Sequence, residues 1–386
     1  MIGHPRCRLS SPPEEPGHGR FPRAISAIGG RRAGLAAAGF ALLCLLLTAC
    51  TGGPQDGLAP SGIYARRADN LFGKVFIIVV VVFVLVEGAI VYFLIKYRER
   101  PGGSDPVQIH GHTRAEAIWT IIPAVILAGV AIPTVKLIFD FAKAPPSASR
   151  LDVCVTGHQW WWQYVYATKC PDPGTPGPAD TVTTANELHI PVGKPVYLTL
   201  NSIDVIHAFW APKLNGKQDV VPGHTNHMTI EADAPGTYYG QCSQFCGMSH
   251  ANMRLRVIAQ TQSDYDAWVA AQEQPAAAPP PDSLAARGAE LFVQGRNNSG
   301  KFPGGGACAT CHTIGGVSSA VGITGPNLTH VYSRQAFAGD TLDMNPENLR
   351  LWLTNPQKEK PGSVMPNLGL SNDEITALVA YLQTLR

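Results

Sequence analysis

The chain has 386 residues, enough for two or three ordinary domains. Its formal charge is only +2 with histidines neutral, so nothing in the composition argues for a nucleic-acid partner. Apolar residues make up 45% of the chain and lie in blocks, the pattern of a membrane protein with soluble parts.

The first block, residues 34–47, has 14 residues, too few to cross a bilayer. Arg31 and Arg32 precede it and small residues follow, so residues 1–49 read as a signal peptide. It ends in Leu47-Thr48-Ala49-Cys50, which resembles a bacterial lipoprotein box; an ordinary signal with a chance cysteine is the other reading. A transmembrane hairpin is expected over 71–141. Its first span, 75–95, has 21 residues reaching about 30 Å. The second, 117–139, is interrupted by Pro123 and Pro133. Lys96, Arg98, Arg100 and Arg114 place the link between them in the cytoplasm, although Arg66, Arg67 and Lys74 make that bias slight. A cleaved signal fixes the orientation better, with the mature N-terminus and the C-terminal bulk both outside. Glu87 lies within the first span, where an ionisable group usually faces protein, here another subunit.

From 147 to 272 the sequence turns to short runs rich in β-branched residues, punctuated by Pro, Gly and Asp, as in a β-sandwich or barrel. Residues 273–283, with Gln274 to Asp282 reading QPAAAPPPD, form a stiff, extended linker. Apolar helical spacing resumes in 284–386, a small helical domain.

Cys308-Ala309-Thr310-Cys311-His312 is the attachment pattern of a c-type haem, with His312 placed as an axial ligand. Zinc would need four protein ligands, and no cysteine follows Cys311. A redox dithiol is the other alternative. The second axial ligand of a high-potential site is expected to be methionine, and only Met344 and Met365 follow the motif. Met365 lies 53 residues after His312, just before the last helix; Met344 reads as a surface turn. The placing of Met365, and the GPNL of residues 325–328, resemble small bacterial cytochromes c.

Nine cysteines at uneven spacings are not a disulfide framework, because four of them form two compact pairs. In the second pair Cys242 and Cys246 are followed by His250 and Met253, at steps of four, four and three. Two thiols, an imidazole and a thioether are soft enough for copper. Zinc would not need the methionine, and a Cys242–Cys246 disulfide would leave His250 and Met253 unexplained. Upstream, His207 supplies a second imidazole.

His207 with Cys-x-x-x-Cys-x-x-x-His-x-x-Met resembles the dinuclear CuA site of cytochrome c oxidase subunit II. The likeness extends to GHQWWWQY (157–164), EAIWTIIPA (116–124) and the double span, covering residues ~65–260. The fused haem segment is similar to the cytochrome-c-bearing bacterial branch of that family. The resemblance implies a two-helix membrane hairpin, a cupredoxin-like sandwich and a small all-α cytochrome c domain. It implies two copper ions bridged by Cys242 and Cys246, bound by His207 and His250, with Met253 and the backbone carbonyl of Gln244 as weak ligands. Met248 is expected to be a spectator that packs the loop. The family usually has glutamate where Gln244 stands, and that carboxylate also meets magnesium, so a magnesium site is placed in doubt. Trp160 is implied as the residue through which electrons arrive, although β-sheet packing is the default for three tryptophans in a row. Glu116 aligns with the mouth of a proton path; a helix-start acid favoured by the macrodipole is the alternative. Cys154 and Cys170 flank the tryptophan strand, as a disulfide or as separate thiols.

The function so implied is that of the subunit through which electrons reach a proton-pumping haem–copper oxidase in the bacterial cell membrane, with both cofactor domains on the outer face. Electrons would pass from cytochrome c through the chain's own haem and CuA to subunit I, where O₂ is reduced to water. Subunits I and III, a cytochrome c donor and membrane lipid are the implied partners. No catalytic residue for O₂ reduction is expected in this chain. A quinol oxidase would have no reason to keep the copper ligands, and a nitrous oxide reductase would need a large histidine-rich domain. A nitric oxide reductase with a CuA subunit remains a rival, as does a free membrane-anchored carrier.

Overall fold

A computed structural model of the chain describes residues 39, 52–99, 101–102, 108, 110–175, 177–178, 180–296, 301–303 and 305–386. The expected signal peptide, Gly39 apart, and the box at Cys50 lie outside the described residues. Helix α1, Ile63–Lys96, and helix α2, Thr113–Ala142, have apolar stretches of mean hydropathy 3.0 and 2.2 and bury almost nothing within the chain. A helix apolar on all sides suits lipid. Glu87 is exposed on α1. Pro123 and Pro133 do not interrupt α2, which runs continuously through both. Each proline removes one helical hydrogen bond, and a membrane helix tolerates that loss where neighbours re-satisfy the carbonyl.

Helix α1 starts twelve residues before the expected span because its first turns belong to the soluble part. Ser61 and Ala65 donate backbone hydrogen bonds to the Lys213 and Leu214 carbonyls. Arg66 pairs with Asp233, and Arg67 with Asp140 of α2 at 2.7 Å. Gly62 abuts the Glu231 carbonyl so closely that a Cβ there would lie 2.0 Å from the oxygen. The hairpin is thereby tied to the domain that follows.

That domain is a sandwich of two five-stranded sheets. Its strands are β1 Leu151–His158, β2 Trp161–Val165, β3 Thr183–Ala185, β4 Glu187–Pro191, β5 Val196–Ser202, β6 His207–Trp210, β7 Gln218–Val220, β8 Asn226–Ile230, β9 Gly236–Cys242 and β10 Arg254–Gln260. One sheet has the order β3-β2-β1-β5-β8, the other β4-β10-β9-β6-β7. Strand β5 alternates buried and half-buried residues, as a sheet with one core face must. Trp162, Tyr164, Leu198, Leu200, Phe209 and Leu255 fill the space between the sheets. Each large apolar side chain so buried contributes about 1.5–3 kcal/mol. Cys154, in β1, and Cys170 form a disulfide across the end of β2. Helix α3, Gln262–Gln272, follows.

Residues 274–276 lie along the next domain instead of spanning open solvent. The Ala276 amide donates to the Gly315 carbonyl at 2.9 Å, and His330 Nε2 meets the Gln274 carbonyl at 2.9 Å. The helical domain is built from α4 Leu284–Gln294, α5 Pro346–Thr354, the single turn α6 Pro356–Glu359 and α7 Asn372–Leu382. Helices α4 and α7 cross at Gly288, where a Cβ would lie 2.1 Å from the Ala377 carbonyl oxygen. Ser371 and Glu374 form a capping box at the start of α7.

Candidate copper and haem sites

The expected copper donors converge through the ladder of the second sheet. Strands β6 and β9 pair Phe209 with Cys242, which puts His207, two residues before Phe209, beside the cysteine. The Cys242 amide donates to the Met253 carbonyl at 2.8 Å, closing the loop 243–252 back onto the start of β10. Within this frame Cys242 Sγ lies 3.9 Å from His207 Nδ1 and 3.8 Å from Cys246 Sγ. Cys246 Sγ lies 3.5 Å from His250 Nδ1 and 3.9 Å from Met253 Sδ. The Gln244 carbonyl oxygen is 3.2 Å from Cys242 Sγ. Ligand bonds of about 2.0–2.3 Å put neighbouring donors about 3.3–3.8 Å apart in a tetrahedral site. The spacing and the soft donor set therefore fit copper held by two thiolates.

The donors also share one hydrogen-bond network. Asp204 Oδ1 accepts from His207 Nε2 at 2.8 Å, which leaves the Nδ1 lone pair facing Cys242. Burial disfavours a charged His207, but the bonds to Asp204 and Cys242 outweigh it and raise its pKa. The Cys246 thiol donates to Cys242, driving Cys242 towards the thiolate and holding the proton on Cys246. Neither cysteine is in a disulfide, and both are buried.

The haem residues surround a cavity of about 360 Å³ lined by Cys308, Cys311, His312 and Met365. Cys308–Thr310 is one turn of 3₁₀ helix, from which the His312 amide returns to the Cys308 carbonyl at 3.0 Å. His312 Nδ1 donates to the Pro326 carbonyl at 2.9 Å, which leaves the Nε2 lone pair available to a metal. Gly325 lets the ring lie there, since a Cβ would be 2.4 Å from its Cε1. Burial holds the His312 pKa below its ordinary value, the neutral form that binds a metal. Met365 Sδ accepts from the Trp352 indole at 3.2 Å. Met344 does not line the cavity; it is partly buried against the domain core, where a surface turn was expected. The cysteine pair, the imidazole, the thioether and the apolar walls fit a covalent c-type haem.

The two sites are joined. Gln159, Trp160 and Asp204 of the sandwich also line the haem-side cavity. The Trp160 indole N–H donates to the Cys246 carbonyl at 3.0 Å, and Gln159 Nε2 donates to the same oxygen at 2.7 Å. Around them the helical domain is fastened to the sandwich. Glu187 accepts the Gln335 and Ala336 amides at 2.7 and 2.9 Å, Arg256 pairs with Asp340, and the Arg254 amide reaches the Gly339 carbonyl at 3.0 Å.

Three stretches match known families. Residues 55–137 match the cytochrome c oxidase subunit II transmembrane domain, 151–260 its periplasmic domain, and 285–386 cytochrome c. The chain is 37% identical over 352 residues to cytochrome c oxidase subunit 2 of Alkalihalophilus pseudofirmus, covering 89% of this chain and 95% of that one. The chain belongs to the cytochrome c oxidase subunit II family. It is also 32% identical to quinol oxidase subunit 2 of Bacillus anthracis, over 61% of this chain and 80% of that one. The crystal structure of the periplasmic domain of subunit II of cytochrome oxidase of Bradyrhizobium japonicum is similar over 34% of this chain and 97% of that one. It has 29% identity and a TM-score of 0.30.

This subunit II is thus anchored by two membrane helices, carries a periplasmic CuA-type domain and a fused cytochrome c domain, and admits electrons to a haem–copper oxidase complex. Trp160 occupies the turn between β1 and β2, half-buried under the haem domain. Trp161 stacks on His158 and Trp162 packs in the core. Met248 does not pack the loop; it is 76% exposed at the edge of Gly362. Glu116 accepts the His112 amide at 3.1 Å in the first turn of α2, which is the geometry of a helix cap. Sequence reasoning missed Asp204, Glu187 and Lys360. Only Asp204 left a local sign, three residues before His207.

Proposed function

We propose that this subunit II carries two copper ions on Cys242, Cys246, His207, His250, Met253 and the Gln244 carbonyl, and one covalent haem on Cys308 and Cys311 with His312 and Met365 as axial ligands. When bound, the haem and the copper pair supply two one-electron couples in series. The chain's own residues do the rest. Buried thiols and imidazoles fix the copper donors, so that little has to rearrange when charge changes. Asp204 and the Pro326 carbonyl set which ring nitrogen of His207 and His312 faces the metal. Trp160 spans the two sites, and this is the observation that carries the reading: one side chain lines the haem-side cavity and hydrogen-bonds the carbonyl of a copper ligand.

The electron donor is a cytochrome c that meets the haem domain, and the acceptor is subunit I, accompanied by subunit III in the same assembly. There O₂ is reduced to water and protons are pumped. Gln244 offers an exposed amide where a carboxylate would bind magnesium, so any magnesium at that border is held weakly. Glu116 stands at the cytoplasmic start of α2, where a proton path into subunit I would open. The test is an EPR spectrum of the full-length chain in detergent, loaded with copper and oxidised. One unpaired electron shared over two coppers, beside a low-spin haem signal, is expected. A single-copper spectrum would overturn the ligand set.

A further inference from the structure

We infer that Lys360 is the positioning residue for transfer between the haem and copper sites, an assignment that rests on the relay just proposed. Lys360 comes from the haem domain, directly after α6, and is 4% exposed. Its ammonium donates to two backbone carbonyls, that of Trp160 in the sandwich and that of Ala338 in its own domain. Among the described residues no carboxylate lies within ion-pair distance of it. Burying an amino group without a counter-charge is expensive, burial pushing its pKa down to about 7, and an apolar side chain of similar length would fill the space at less cost. What an apolar chain would not supply is direction: two hydrogen bonds that pin the backbone of Trp160.

The surroundings are shaped to the same end. Gly339 and Gly362 both have positive φ, +74° and +85°, the left-handed region that favours glycine. A Cβ on Gly339 would lie 2.4 Å from Lys360 Nζ and 2.5 Å from the Asn252 carbonyl oxygen. A Cβ on Gly362 would lie 3.1 Å from the tip of the Trp160 indole. The haem domain thus brings two bare backbone positions and one ammonium against a single tryptophan. The other edge of that indole is fixed by its bond to Cys246. Lys360 holds the backbone, Cys246 holds the ring, and the side chain between them is left one orientation.

The domains are also held by contacts that do not involve the lysine, so positioning can be separated from docking. Glu187 binds the Ala336 amide, and hydrogen exchange at that amide reads whether the haem domain stays seated. The experiment compares the full-length, copper-loaded chain with Lys360→Met and Lys360→Arg. Each is mixed rapidly with a one-electron reductant while haem and copper absorbance are followed; for each haem reoxidised, one copper centre should be reduced. In Lys360→Met that step is expected to slow roughly tenfold or more, as a small misplacement of a transfer partner does. Initial haem reduction, the copper EPR spectrum and Ala336 protection should be unchanged, and Lys360→Arg should recover part of the rate. An unchanged transfer rate would overturn the assignment. So would a slow rate accompanied by loss of Ala336 protection, which would make the lysine a fastener of domains and not a positioner. A wild-type chain that passes no electron from haem to copper would instead overturn the relay itself.

Discussion

In the sandwich, the proposed copper donors sit at the ends of paired strands or on the one short loop those strands close, whereas the proposed haem ligands come from loops around an apolar cavity. His207 and Cys242 are held by the β6–β9 ladder, and Met253 by its carbonyl bond to the Cys242 amide. The sheets behind them are filled by their own side chains. The haem-domain residues Cys308, His312 and Met365 instead share a cavity of about 360 Å³ with Phe292, Leu349 and Leu378, which are also part of the domain's core. The sandwich is filled by its own side chains, whereas the haem domain's core side chains also line a cavity. On the proposed cofactor set, copper would matter for function and haem for fold as well.

Removing each attachment in turn should have the largest effect. With Cys308→Ala and Cys311→Ala, no thioether holds the haem. A cavity of about 360 Å³ at about 24 cal/mol per Å³ costs up to about 9 kcal/mol. That is comparable to the whole stability of a domain. Hydrogen exchange should show α4 and α7 losing protection while β5, β9 and β10 keep theirs. Equal loss in both domains would refute the contrast. Cys246→Ser is the counterpart. It should abolish the shared-copper EPR signal yet shift thermal unfolding of the sandwich by only about 1 kcal/mol, since the volume is kept and the strands are untouched. A collapse of the sandwich would mean that its core depends on copper after all.

How much of this could be read from the chain alone follows the same division. The steps between Cys242, Cys246, His250 and Met253 are local, because all four fall on one short loop and its two ends, and the haem motif spans five residues. Strands β6 and β9 left a weaker trace: β6 has four residues, the first three buried, and shows no alternation. The foot of α1 looked like an approach to the membrane because its partners, Lys213, Leu214 and Asp233, lie about 150 residues on. The same holds for the joint between domains. Lys360 is 200 residues from Trp160 and Glu187 is 149 from Ala336, so no periodicity or motif could pair them. The Pro-rich stretch predicted a stiff, extended linker, and what the chain could not show is that backbone bonds at Gln274 and Ala276 lay its start along the haem domain.

A smaller effect sharpens the description of the copper site. Asp204 bonds the far ring nitrogen of His207 and none of the proposed ligating atoms, so Asp204→Asn should leave the dinuclear spectrum recognisable. Loss of its charge weakens the bond that orients His207, and copper affinity should fall about 10–100-fold. Competition with a chelator of known affinity measures it. An unchanged affinity would show that the β6–β9 ladder alone orients the ring.

The smallest expected effect lies in the haem domain, at the start of α7. Arg296 binds the Glu374 carboxylate, and with the Ser371 bonds this lowers its pKa from 4.5 to about 2. A carboxylate with a depressed folded-state pKa adds stability that is fully present above its unfolded value. That stability is lost as pH falls through the window from about 4.5 to about 2. Because Arg296 is partly exposed and screened, the contribution is about 1–2 kcal/mol and not the full value of the shift. Glu374→Gln should remove it at neutral pH and flatten the acid limb of the haem domain's unfolding curve, without altering that of the sandwich. Thermal unfolding of both chains across that window, followed by haem absorbance and by sandwich tryptophan fluorescence, separates the domains. Parallel curves for variant and wild type would mean that the ion pair at the α7 cap does not couple to folding, and that the cavity filling alone governs this domain.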